Sequence, residues 1–214
     1  MHPVTYHFCP QCGRPLGSKE FGGQARAFCP DCSFVHWGDF TLGVGGILWH
    51  DGKALLVQRA HNPGRGIWTI PGGYVEAEEN IENAVAREVR EETGIESKAS
   101  TLIAVRDRPG EEAPPQPHDL YLIFLLSYLS GNAKGDEDEV RSLGFFTLEE
   151  ARRLPIAPLT LHMLEATAPG LTGFERVEGV KMLGERPILF RAAAPHSGLL
   201  RPATNNPTAE PPRY

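Results

Sequence analysis

The sequence predicts an α+β protein: a β-sheet packed with helices, preceded by a small cysteine-bearing module. Three observations carry that expectation. Two close cysteine pairs, Cys9/Cys12 and Cys29/Cys32, lie in an N-terminal stretch that is poor in aliphatic residues. Two apolar runs of strand texture, 41–49 and 53–59, flank the turn signal Asp51-Gly52. A third segment, 81–92, places Ile81, Ala84, Val85 and Val89 on one helical stripe, and Thr93-Gly94 ends it.

The remaining elements follow from the same signals. The breaker cluster Pro71-Gly72-Gly73 precedes the helix. Strands are expected at 101–106 and 121–129, joined by the loop EEAPPQPHD, too proline-dense for regular structure and a candidate substrate rim. A short strand at 144–147 and helices at 148–154 and 159–166 complete the series, with Pro155 and Pro158 separating the helices. At 214 residues the chain holds one ordinary domain plus a small appendage. The expected division is a metal-stapled module at 1–38, a main domain at 39–170, an extension of a strand or two at 171–193, and a polar, proline-rich disordered tail at 194–214.

Composition narrows the function. The formal net charge of −6 and a pI near 5.8 leave no broad basic surface for sequence-independent attraction to nucleic acid, so long DNA or RNA is not an expected partner. No stretch approaches the roughly 20 apolar residues of a membrane span, and none has the form of a signal peptide, so a cytoplasmic protein without membrane contact is expected. In a reduced compartment, cysteines paired so closely favour a metal over disulfides.

Cys9-Pro-Gln-Cys12-Gly and Cys29-Pro-Asp-Cys32 are two knuckles separated by 16 residues, the spacing of a zinc ribbon with a tetrahedral four-cysteine site. A site whose four positions are all taken is structural, so this Zn²⁺ is expected to hold the module together and perform no chemistry. His7 and His36 flank the knuckles as alternative ligands. Phe8, Phe28, Phe34 and Trp37 are expected to pack the module.

The chemistry is concentrated in the helix. Glu88, Glu91 and Glu92 stand at i, i+3 and i+4, so three carboxylates project within one turn. Such crowding raises carboxyl pKa values unless a cation intervenes. A hard divalent ion that accepts oxygen ligands and keeps several waters, Mg²⁺ or Mn²⁺, suits an acidic helix face that also meets phosphate. The bland alternative is a solvated face balanced by Arg87 and Arg90. The full pattern decides between them: Gly73, five residues, Glu79, seven residues, then Arg87-Glu88-Val89-Arg90-Glu91-Glu92-Thr93-Gly94-Ile95.

That segment matches every fixed position of the Nudix box, and the chain from about 40 to 168 resembles the Nudix hydrolase family in its order of strands, loop and helix. The resemblance implies an α/β/α sandwich around a mixed sheet, and a Mg²⁺-dependent enzyme cleaving the diphosphate of a nucleoside diphosphate derivative. It implies Glu88 and Glu92 as core metal ligands, Glu91 as a further ligand or the base, Arg87 orienting the cluster, and Glu79 bracing the loop from behind. Gly72 and Gly73 fit a tight turn that admits a metal or phosphate, or simply connect strand to helix. For the base there are two candidates, Glu91 and Glu139, the latter in the acidic loop Asp136-Glu137-Asp138-Glu139. Arg59 is a candidate phosphate contact.

Among family substrates, the ribbon followed by Phe34-Val35-His36-Trp37 resembles members that cleave ADP-ribose or FAD. NADH-cleaving members follow the box with an SQPWPFP-type motif, whereas this chain reads RDRPGEEAPPQPHDLY. ADP-ribose-like compounds are therefore favoured over NADH. The resemblance also implies a homodimer. The readings set against it are a catalytically silent nucleotide sensor and a hydrolase of nucleotide-capped RNA that uses the ribbon as its RNA contact.

Overall fold

The computed structural model describes residues 6–112, 115–135, 138–168, 172–177 and 188–193. The N-terminal module is a hairpin, β1 (Gly17–Phe21) with β2 (Gln24–Phe28), set between two cysteine knuckles. The knuckles repeat one geometry. Gly13 N donates to Cys9 O at 2.8 Å and Ser33 N to Cys29 O at 2.9 Å. Gly13 and Ser33 both take the left-handed conformation, at φ 72° and 61°.

Two long strands start the main domain: β3 (Phe40–His50) and β4 (Lys53–Arg59). They pair only at Trp49↔Ala54 and His50↔Lys53, beside the Asp51-Gly52 turn, and then diverge. The gap is filled by two short strands, β5 (Trp68–Thr69) beside β4 and β6 (Gly72–Tyr74) beside β3. Helix α1 (Ile81–Thr93) follows at once, so the segment that bridges the split feeds directly into the carboxylate helix.

After α1 come β7 (Ile95–Arg108), the two-residue strands β8 (Glu111–Glu112) and β9 (Pro115–Gln116), and β10 (His118–Gly131). β11 (Val140–Phe146) precedes the short helix α2 (Leu148–Ala151) and α3 (Pro158–Thr167), and β12 (Thr172–Val177) and β13 (Ile188–Ala193) end the described chain. The main sheet runs β11-β4-β3-β10-β7-β13-β12. β10 is parallel to β3 and antiparallel to β7, which makes the sheet mixed.

Each helix has a local cause. The Asn80 side chain caps α1 by accepting from Asn83 N at 2.8 Å, and Gly94 closes it in the left-handed region at φ 69°. Thr147 and Glu150 form a reciprocal capping box on α2, and Pro158 opens α3 at a position where no helical N–H is required. Two cores lie on opposite faces of the sheet. Ala84, Val85 and Val89 of α1 pack with Val44, Leu48, Phe124 and Leu126 on one side. Met163 and Leu164 of α3 and Ala151 of α2 pack with Ile47, Ile103 and Ile123 on the other. Burying each Val, Leu, Ile, Met or Phe among them contributes about 1.5–3 kcal/mol. Helix layers on both faces of a mixed sheet make the α/β/α sandwich.

Several expectations change in detail. Both middle strands are longer than 101–106 and 121–129, because Ile95 and Ser97 on one and Asp119 on the other remain buried beyond those limits. The proline-dense loop does hold regular structure: Glu111 and Glu112 pair with Gln116 and Pro115 in a small ladder. The strand near 144 starts at Val140 because it runs along β4, and α2 stops at Ala151, earlier than 154. Strands do occur within 171–193, and β13 pairs with β7. The 194–214 tail lies outside the described residues. Packing of the module's aromatics is uneven: Phe8 and Trp37 are 64% and 58% exposed, since the module is too thin to enclose them.

Candidate active site

The α1 carboxylates divide by depth. Glu88 is 13% exposed and Glu91 51% exposed, while Glu92 is largely buried beneath the Gly72-Gly73 turn. Gly72 N donates to Glu92 Oε2 at 2.9 Å. A Cβ on Gly72 would lie 2.1 Å from Val44 O, and one on Gly73 would lie 2.5 Å from the Glu88 carboxyl carbon. Only glycines allow β6 to run so close to both β3 and the carboxylates.

Arg87 organises the cluster. Its Nη2 and Nε donate to the two Glu79 oxygens at 2.6 and 3.1 Å, Nη1 donates to Glu88 Oε1 and Glu91 Oε2 at 2.9 Å each, and Nη2 also reaches Tyr74 O at 3.1 Å. Glu79 in turn accepts from Glu76 N at 3.0 Å. One guanidinium thus links the loop, the helix and β6. The Arg87 hydrogen bonds, helped by the Glu76 amide, hold the Glu79 carboxyl down at about 2.

Electrostatics run the other way on the inner carboxylates. Burial pushes Glu92 up to about 8, with Glu88 and Glu139 adding repulsion against the Gly72 amide and the more distant Arg59. Burial likewise raises Glu88, where Arg87 opposes and Glu91 and Glu139 add to it. Glu139 is thereby within electrostatic reach of both, held at the site by its backbone carbonyl, which accepts from Ala60 N at 3.0 Å. Asp136 and Glu137 of that loop lie outside the described residues. Arg59 is exposed; its Nε donates to Pro63 O at 2.9 Å.

Arg87 takes one oxygen of Glu88 and Gly72 takes one of Glu92, so each keeps an oxygen for a cation. This all-oxygen, part-buried donor set fits Mg²⁺ or Mn²⁺. Among the described residues, the only set of three or more ligand atoms within 4.8 Å of one another is the cysteine quartet. The glutamates form no closed cage, which suits an ion that keeps waters and takes phosphate oxygens.

The cysteines answer to a different metal. Cys9 Sγ lies 3.5 Å from Cys32 Sγ, and Cys12 Sγ 3.6 Å from Cys29 Sγ. A tetrahedral ion with Zn–S bonds of about 2.3 Å separates its sulfurs by roughly 3.8 Å. The quartet could therefore bind zinc. His36 is occupied elsewhere, 3.0 Å from Asp39 Oδ1, and His7 is not among the clustered ligands.

Four neighbouring residues escaped the sequence reading: Tyr74, Arg106, Asp119 and Tyr121. Tyr121 lies directly across from Gly43 on one side and Arg106 on the other. No local motif marks these positions; only strand register brings them together.

A part-buried carboxylate pair under a double-glycine turn, on a helix facing the split of a mixed sheet, could hold a divalent cation. The family model described as NUDIX domain matches residues 39–167. The chain belongs to the Nudix family. It is 36% identical over 114 residues to the ADP-ribose pyrophosphatase of Methanocaldococcus jannaschii, covering 53% of this chain and 66% of that one. It is 31% identical over 153 residues to the NAD-capped RNA hydrolase NudC of Stutzerimonas stutzeri, covering 71% and 52%. The chain thus spans just under two thirds of the first relative's length and about half of the second's. A NUDIX hydrolase structure from Nitrosomonas europaea is similar with a TM-score of 0.59 and 29% identity, covering 68% of this chain and 80% of that one. A MutT NUDIX hydrolase structure from Burkholderia pseudomallei has a TM-score of 0.53 and 32% identity, covering 60% and 98%. Among the described residues no helix is long and apolar enough to cross a membrane.

Proposed function

We propose that the protein is a Mg²⁺- or Mn²⁺-dependent pyrophosphatase that hydrolyses the diphosphate of an ADP-ribose-like nucleoside diphosphate derivative. The observation that carries this is the pair of part-buried carboxylates, Glu88 and Glu92, each with an oxygen left over beneath a glycine turn. A bound dication would neutralise phosphate oxygens and acidify water. Glu88 and Glu92 would hold it, and Arg87 would fix Glu88 and Glu91 in place. Glu79 would hold Arg87 in turn, and the Gly72 amide would orient Glu92.

For the base, Glu139 is the better supported of the two candidates. Glu139, itself exposed, acts on both Glu88 and Glu92, whereas Glu91 acts on Glu88 and accepts a hydrogen bond from Arg87. Arg59 projects its field onto Glu92 from the mouth of the site, in keeping with a phosphate contact. The substrate preference draws on the Methanocaldococcus relative named an ADP-ribose pyrophosphatase. The second reading, a nucleotide-capped RNA hydrolase, draws on the NudC relatives and on the exposed aromatics of the ribbon. The four cysteines would hold a structural zinc, and a cytoplasmic homodimer completes the reading; sedimentation of the purified protein reads the dimer.

The test is a Mg²⁺-dependent hydrolysis panel of ADP-ribose, NADH, FAD, diadenosine polyphosphates, nucleotide sugars and NAD-capped RNA, with Glu92→Gln as control. ADP-ribose should be preferred, and the variant should lose turnover by roughly three orders of magnitude. Binding without turnover across the panel would make the protein a sensor, and an active Glu92→Gln would remove the metal assignment. Replacing Glu139 should lower kcat severely; an unchanged kcat would return the base to Glu91.

A further inference from the structure

The sheet face that carries Ile47 and Ile123, opposite helix α1, holds a second feature. Strand register sets Tyr74, Gly43, Tyr121 and Arg106 in one row across β6, β3, β10 and β7. Directly paired residues project to the same face, so the row has two side-chain walls and a low middle. The middle is low because Gly43 has no side chain: a Cβ there would strike Tyr121 Cδ2 at 2.8 Å. The Tyr121 ring therefore lies flat over β3, and its hydroxyl ends beside Gly45 and Gly72, where added Cβ atoms would stand 2.3 and 2.9 Å away. Gly72 is the residue whose amide holds Glu92. The Tyr121 hydroxyl thus ends one residue's width from the group that holds Glu92.

The walls differ in kind. Tyr74 is 64% exposed, and its carbonyl is fixed by Arg87. Opposite it, the Arg106 guanidinium lies 5.0 Å from the Tyr121 ring centre and pairs with Asp119. Arg108 stands 3.8 Å from the same carboxylate, which Thr41 Oγ1 also holds at 2.7 Å. One carboxylate faces two guanidinia among the described side chains, and the Nε atoms of both arginines are buried without a partner. Three strand spacings put the wall backbones about 14 Å apart.

We propose that this trough is the base subsite of the active site: a planar heteroaromatic base lies between the Tyr74 ring and the Arg106 guanidinium, with its nucleotide phosphate directed towards Glu92. The inference rests on the hydrolase reading and adds the residues that select a base. Tyr74 supplies a stacking face, and Arg106, backed by Arg108 and Asp119, supplies a cationic face with donors to spare. Inorganic pyrophosphate has no ring for the trough and engages only the metal end.

Titration calorimetry of the full chain in Mg²⁺, with AMP and with pyrophosphate, tests this directly. Tyr74→Ala and Arg106→Gln should each weaken AMP about tenfold and leave pyrophosphate unchanged, while Tyr74→Phe should keep AMP affinity. Tyr74 is exposed, so its variants test the trough even if Arg106→Gln disturbs folding. Unchanged AMP affinity in Tyr74→Ala, or equal weakening of AMP and pyrophosphate, would overturn the proposal, as would a wild-type protein that binds no AMP. Hydrolysis with AMP affinity indifferent to Tyr74 defeats the trough alone. AMP binding that depends on Tyr74 without any hydrolysis defeats the enzyme reading and leaves the trough standing.

Discussion

Arg87 is the residue on which the site's geometry turns. It satisfies five acceptor atoms on four residues, so its removal would free Glu79, Glu88 and Glu91 together. The Glu79 carboxyl reports on that arrangement. Its folded value of about 2 lies below the ordinary 4.5, so the unfolded chain binds more protons between those limits. Stability from this pair is therefore complete above pH 4.5 and is lost as pH falls towards 2. Urea midpoints measured over that window should fall more steeply for the native protein than for Glu79→Gln, and parallel curves would detach Glu79 from Arg87. The spacing of Glu88, Glu91 and Glu92 was legible in the sequence, whereas their differing depths were not, because burial depends on where the Gly72-Gly73 turn comes to rest.

At the scale of elements, the turn and the helix end make opposite demands on glycine. Gly73→Ala would drive a methyl into the Glu88 carboxylate, 2.5 Å from its carbon, and its three nearest atoms would all belong to Glu88. Turnover should fall by about 10- to 100-fold with the melting temperature nearly unchanged, since displacing a ligand by an ångström suffices for such a loss. Gly94→Ala acts on stability instead. A side chain at φ 69° is strained, and its Cβ would press on the Asn132 and Lys134 carbonyls at 3.2 Å. Denaturant unfolding should show a loss of about 1–2 kcal/mol with kcat conserved. The periodicity of 81–92 located the helix within a residue of its observed end, but the proline-dense loop misled, because Glu111 and Gln116 close a tight local ladder that its proline-rich composition does not announce.

For the whole molecule, two modules rely on different stabilising forces. The main domain has two apolar cores, whereas the buried hydrophobic residues of the cysteine module are Cys9, Ala27 and Cys29. Metal analysis should find about one zinc per chain, and chelation should unfold the module while the far-ultraviolet signal of the main domain persists. Zinc-free protein with an intact module would refute the ribbon reading. Asp39 joins the two: its side chain meets Tyr6 and His36, and its carbonyl accepts from His118 N at 3.0 Å. The chelated protein should consequently loosen first at the start of β3.

The sequence by itself determined the family, the carboxylate helix with its Arg87 and Glu79 partners, the two cysteine knuckles, and the order of the principal strands. Those features are written in short spacings, because ligands on one helical turn or one knuckle are neighbours in the chain. The tertiary structure alone decided which glutamates are buried, that β3 and β4 part to admit the Gly72-Gly73 turn, and that Tyr74, Tyr121 and Arg106 share a face. Those facts depend on register between strands up to about 80 residues apart, as in Tyr121↔Gly43, and pairing at that distance leaves no local signature in the chain.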